Sequence, residues 1–198
     1  MSRYDGPVDK ERIRAGRPRS EQAREAVLHA VDDLLLDVGY AAMTMKGIAE
    51  RAGVSRMTVY RWWSTKAEIL LEASAADAEE ELATEPTGTP LDDLTAYLEA
   101  LAHFLAHSPA GAAYRALIGE AQHDKAVAEL LASKDVLGAS ARTILERATG
   151  QQVPVDQATA LLIGPTFFWI MTGRDPAHLN PREMAAALLH DVHPRQPR

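Results

Sequence analysis

Three observations predict an all-α fold for this 198-residue chain. Apolar residues recur at three-and-four spacing in segment after segment, and no stretch alternates as a half-buried strand does. The segments are punctuated by helix caps and stops, among them Thr44, Gly53, Thr89-Pro90, Gly150 and Asn180-Pro181. With 46 % hydrophobic residues and no cysteine, the chain can bury a core and has no disulfide to staple it.

Residues 1–19 carry Lys10, Arg12, Arg14, Arg17 and Arg19 among glycines and prolines with few apolar residues, which predicts a flexible basic arm. Such an arm can follow phosphates or place an Arg in a narrow minor groove. The first helix is expected from a Ser20 cap to Val38, stopped by Gly39, with Val27, Val31, Leu34 and Leu35 on its core face. Thr44 caps a short second helix in which Met45, Ile48 and Ala49 share one side, ending at Gly53. Ser55 caps a third, whose Val59 and Trp63 point inward. Two short helices joined by a glycine-bearing turn form a helix-turn-helix, and the small Ala49 lets the second helix cross close to the first.

The outward residues of that second helix suit a major groove. Arg56 and Arg61 offer planar forks to guanine or phosphate, Thr58 and Tyr60 donate to phosphate oxygens, and Met57 can touch a thymine methyl. Lys66 follows a further cap at Ser64 or Thr65, where an ammonium and a helix N-terminus together suit a phosphate. The net charge of −7 is divided unevenly: residues 1–70 hold twelve Lys and Arg against ten Asp and Glu, and the remainder nine against eighteen. A positive head on an acidic body is compatible with a polyanionic partner.

The order helix, Gly39-Tyr40, Met43-Thr44, IAERAGVSRMTVYRWW, STKAEIL resembles the DNA-binding domain of the TetR family of bacterial transcriptional regulators, over roughly residues 20–73. The resemblance implies an all-helical homodimer that binds a palindromic double-stranded operator and leaves it on binding a small-molecule effector. It implies DNA contacts at Lys46, Arg56, Met57, Thr58, Tyr60, Arg61 and Lys66, with the capping Thr44 and Ser55 beside them. The Arg61-Trp62-Trp63 run departs from many members, which leaves Trp62 open between groove contact and packing. The expected organisation is a basic arm over 1–19, a DNA-binding domain over 20–66 and a regulatory and dimerisation domain over 67–198.

In that body, helices are expected from Lys66 to about Ala83, Leu91 to His107, Ala110 to Gln122, Ala126 to Leu131 and Val136 to Ala148. Pro154 to Thr172 is apolar all the way round, so it must be covered on more than one face. The expected cover is a second copy, joined by the helix carrying Leu137, Ile144 and Leu145 in an isologous four-helix interface. A kink is expected at Gly164-Pro165, and a last helix from an Asn180 cap to about Val192.

Tyr97, Leu101, Phe104, His107, Tyr114, Leu117, Phe167 and Trp169 are the expected walls of an effector cavity, with packing as the alternative for each aromatic. Glu99, His103 and His107 share one helix face at i, i+4, i+8, a spacing that admits a divalent metal and hence a metal-responsive regulator, or else a solvated stripe. No GxSxG, P-loop, GxGxxG or HExxH appears, so an enzyme is not expected and no cofactor is assigned. A helical protein-binding adaptor is the competing class. The most apolar stretch, 158–171, is too short and interrupted to span a bilayer, and the absence of cysteine accords with a cytoplasmic protein.

Overall fold

The computed structural model describes residues 12–150 and 155–192. Ten α-helices run in order: α1 Arg12–Ala42, α2 Met45–Arg51, α3 Arg56–Tyr60, α4 Lys66–Glu81, α5 Pro90–His107, α6 Pro109–Ala121, α7 Lys125–Ser133, α8 Val136–Thr149, α9 Val155–Met171 and α10 Pro181–Val192. A 3-10 turn, Pro176–His178, precedes the last, and there is no strand among the described residues. The chain divides into two compact units, Met1–Ile69 and Leu70–Arg198, with the division inside α4.

α1 begins eight residues before the expected Ser20 cap. The rest of the expected arm, residues 1–11, lies outside the described residues. A serine signals a helix start only when the chain before it leaves the helix, and the Arg and Glu flanking Ser20 are good helix formers. The helix breaks at Gly39 (φ 75°, ψ 165°), the residue expected to stop it.

In the first unit α1 packs on α2 and α3. Val27, Val31, Ile48 and Val59 are each fully buried, and side chains of that size contribute about 1.5–3 kcal/mol apiece when removed from water.

In the second unit α5 is central and touches α6, α8, α9 and α10. Its Thr89 cap accepts from Asp92 N at 3.1 Å, with Pro90 in the first turn where no N–H is needed. α6 leaves α5 through the shared Ser108, which ends one helix and caps the next. Gly111 is required at this elbow, because a Cβ there would land on the Phe104 carbonyl. The α4–α5 connection is held by Asp93, buried and accepting from both Thr87 N and Thr87 Oγ1 at 2.6 Å and from Arg147 Nε at 3.0 Å.

α9 packs on α5, α8 and α10 with Ala158, Leu162 and Thr166 inward, and stays helical through Gly164 and Pro165. The expected use of α8 as an interface helix is corrected: Leu137, Ile144 and Leu145 are buried within the subunit's own core. An amphipathic helix with one apolar face cannot serve two partners, and α5 and α9 already cover it. The apolar surface left over lies instead on α9, where Leu161, Phe168 and Met171 are exposed.

Candidate nucleic-acid interface

The motif is built by local hydrogen bonds that its own sequence supplies. Thr44 Oγ1 accepts from Gly47 N at 3.0 Å and so fixes the start of α2. Gly53 takes φ 66°, a left-handed value that costs a side-chain-bearing residue strain, and Val54 N returns to Ala49 O at 3.0 Å. Ser55 Oγ then accepts from Thr58 N at 3.1 Å, and the two hydroxyls lie 2.9 Å apart. Val59 and Trp63, both buried, pin the inner side of α3 and the turn after it.

With that side fixed, the rest faces outward. Arg56, Tyr60 and Arg61 are exposed, and Met57 is 79 % exposed, more than any other large hydrophobic side chain described. Neither Arg56 nor Arg61 has an acidic partner among the described residues, so both forks remain available. Lys46 is exposed and pairs loosely with Glu50 at 3.5 Å, a solvent-exposed contact of little strength. Thr58 is half-buried and engaged with Ser55, while Thr44 and Ser55 are exposed caps. Trp62 is half-buried, edge-on to Trp63 with ring centroids 5.5 Å apart.

Lys66 is placed differently from a free phosphate ligand. Its ammonium donates to Tyr40 O at 2.6 Å and Met43 O at 3.1 Å and lies 4.1 Å from the Tyr40 ring centroid. Thr65 Oγ1 accepts from Glu68 N and Glu68 Oε2 from Ser64 N, so α4 begins at Lys66 as expected, but that lysine ties α4 to the α1–α2 turn. Lys66→Met should lower the melting temperature of the first unit, because two half-buried carbonyls lose their donor at about 1–3 kcal/mol; an unaltered thermal melt would contradict that role.

Sequence reading missed two supports. Arg51 clasps α1 through Asp37 at 2.6 Å and Asp33 at 3.5 Å, and the hydrogen bond it donates to Asp37 raises its pKa further. Arg24 lies 5.9 Å from the Trp63 ring. Asp33 and Asp37 stand four residues apart on one face of α1, and only the packing of α2 on α1 brings Arg51 to them.

The effector residues expected from sequence separate into core and surface. Tyr97, Leu101, Phe104 and Leu117 are fully buried packing residues, and Tyr97 Oη meets Ser140 Oγ at 3.0 Å. Tyr114 and Phe167 are half-buried against the same core, and burial pushes the Tyr114 phenol up to about 12. Trp169 Nε1 donates to Asp175 O at 2.8 Å, and His107 is exposed. None of them lines the cleft of about 610 Å³ that the second unit does contain. That cleft lies between the second half of α4 and α8, with Leu82, Val136 and Ile144 as apolar walls, Ser140 and Thr143 as hydroxyls, and Glu79 and Glu85 at its edge. Aromatics at helical spacing went to the core because they are the largest apolar area the unit can bury.

The metal reading is corrected as well. Glu99, His103 and His107 border a shallow depression, with the two imidazole centroids 5.5 Å apart. Among the described residues no three His, Asp or Glu side chains stand close enough to share an ion. No described helix is long and apolar enough to cross a membrane.

A capped two-helix motif with an exposed, basic second helix, carried ahead of a separate helical unit, defines a helix-turn-helix DNA-binding regulator. Residues 27–73 match the family described as bacterial regulatory proteins, tetR family, and residues 84–192 match the tetracyclin repressor-like C-terminal domain. The chain belongs to the TetR family of transcriptional regulators, which are not enzymes. It is 32 % identical over 167 residues to the HTH-type transcriptional regulator YdeS of Bacillus subtilis (strain 168), covering 81 % of this chain and 84 % of that protein. Among solved structures it is similar to the TetR family transcription regulator SCO0332, at 29 % identity and TM-score 0.70 over 89 % of this chain and all of that one. A regulator from Mesorhizobium loti MAFF303099 shares the fold, at 19 % identity and TM-score 0.60 over 88 % of this chain and 96 % of that one.

Proposed function

We propose that this regulator is a repressor that binds an inverted-repeat operator as a cytoplasmic homodimer and is released by a small molecule held in the α4–α8 cleft. The observation that supports it best is the pair of exposed guanidinium forks, Arg56 and Arg61, without an ion pair among the described residues, at the two ends of a helix whose inner side is fixed by Val59 and Trp63. Two such helices, one per protomer, fit half-sites about 34–36 Å apart. Arg56, Met57, Tyr60 and Arg61 contact the groove; Lys46, Thr44, Ser55 and Thr58 lie beside the backbone; Lys66 positions the motif rather than touching DNA.

Release follows from α4. Its first residue is anchored to the α1–α2 turn, and its Ala75 and Glu79 line the cleft. A ligand that packs better when α4 is tilted therefore draws on Lys66 and the motif together. A ligand shifts the equilibrium only by its differential affinity for the two arrangements, so coupling is reciprocal and about 1–3 kcal/mol. Titrating candidate inducers into free protein and into the operator complex should give affinities differing about 5–150-fold. Equal affinities would leave a DNA-binding regulator without ligand-gated release.

A further inference from the structure

The walls of the α4–α8 cleft decide what kind of molecule they can hold. The hollow exists because Ala75 and Ala139 line it with side chains too short to fill it, and Leu82, Val136 and Ile144 supply its apolar surface. At about 610 Å³ it falls within the roughly 300–1,000 Å³ of small-molecule sites.

The hydroxyl protons of the wall are already used. Ser140 Oγ donates to Leu137 O at 2.9 Å, so in its 3.0 Å contact with Tyr97 the phenol is the donor. That leaves Ser140 a lone pair and no proton. Thr143 Oγ1 donates to Ala139 O at 3.1 Å and likewise keeps only acceptor capacity. The charges divide in the same sense. Arg147 is held through Nε by Asp93 at 3.0 Å and through its terminal nitrogens by Thr84, and Asp135 is held by Arg142 at 2.7 Å. Among the described residues Glu79 and Glu85 have no ion pair, and the unpaired base lining the cleft with them is Lys134, exposed after α7.

We propose that the effector of this cleft is an amphiphilic ammonium, its apolar body laid on Leu82, Val136 and Ile144, its N–H groups given to the wall's acceptors and its charge answered by Glu79 and Glu85. This deepens the ligand-gated reading above and rests on it. A carboxylate ligand would bring acceptors to acceptors and a negative charge to two others, with Lys134 alone in its favour. A purely apolar ligand would cut the Ser140 and Thr143 oxygens off from water and give them no donor. Both lose binding, whereas an ammonium supplies the donors and the charge that this wall lacks.

Three fluorescent probes sharing a dansyl ring and an arm of pentyl length separate these classes: dansylcadaverine ends in an ammonium, dansyl-aminohexanoate in a carboxylate and N-pentyl dansylamide in a methyl. Each is titrated into the full chain. The ammonium probe is expected to bind about tenfold tighter than the methyl probe, with the carboxylate weakest. Glu79→Gln and Glu85→Gln should each weaken the ammonium probe about threefold to fivefold and leave the methyl probe unchanged. Glu183→Gln, which removes the same charge from an exposed position on α10 outside the cleft, should alter none of them. Ala139→Phe, which fills the cleft from an exposed position on α8, should abolish binding with the thermal melt intact. Tighter binding of the carboxylate or methyl probe, abolished by Ala139→Phe, overturns the ammonium class and leaves the cleft a ligand site. Equal losses from Glu183→Gln and Glu79→Gln, or no binding of the ammonium probe at millimolar concentration, overturn that class too. Binding that survives Ala139→Phe overturns the cleft as the effector site.

Discussion

Replacing Arg56 and Arg61 together by alanine should abolish specific operator binding while leaving the first unit folded. Each fork that reads a guanine contributes about 1–3 kcal/mol of discrimination, so two additive contacts amount to about a thousandfold in affinity. The fold should not notice, because both side chains are exposed and neither is ion-paired among the described residues. Inward residues give the contrast: Val59→Ala, at a fully buried position, should lower the melting temperature and reduce binding only as the unit loosens. Gel shifts on the operator and on random DNA, at two salt concentrations, separate the two forks. A fork on a base loses the operator preference, and one on a phosphate weakens both DNAs and flattens the salt dependence. Undiminished operator affinity in the double variant, with its circular dichroism intact, would move DNA recognition away from α3.

The largest stability effect is expected at Asp93. Its carboxylate is buried, and the Thr87 hydroxyl first, then the Thr87 amide and Arg147, hold its pKa below the ordinary value. A depressed folded-state pKa contributes stability that is fully present above the unfolded carboxyl value of about 3.9 and is lost as pH falls through the folded value. Wild type should thus lose stability in acid below about pH 4, with Asp92, depressed by Arg182 and Thr89, adding to the same window. Asp93→Ala removes the acceptor of Arg147 and of two Thr87 donors, and because those donors are exposed and can turn to water it should cost about 1.5–3 kcal/mol at neutral pH. Its thermal midpoint should then vary less between pH 4 and pH 2 than that of wild type. A wild type and Asp93→Asn with parallel pH profiles would remove the carboxylate from this account.

Some of this was written in local sequence. Thr44, Ser55, Thr89 and Asn180 were recognisable caps, and each accepts the backbone hydrogen bond expected of it. Capping is decided within three or four residues, which is why those helix starts fell within a residue of their expected places. Ser20 failed by the same reasoning, since a cap is real only if the preceding chain is not already helical. The outward display of Arg56, Met57, Tyr60 and Arg61 was legible because Val59 and Trp63 fix the rotation of a helix only five residues long.

What the sequence by itself determined was therefore the all-helical class, the capped motif and its exposed basic face, all set by contacts between near neighbours. Only tertiary structure decided which of several equally apolar faces would be covered. Tyr97, Phe104 and Leu117 went to the core, α8 turned Leu137 and Leu145 inward, and α9 was left with Phe168 outside. It also decided that the Lys66 ammonium would meet carbonyls at positions 40 and 43, more than twenty residues away in sequence. Periodicity tells which residues share a side of a helix; what that side meets depends on how distant helices share a limited interior, and burial is not directional.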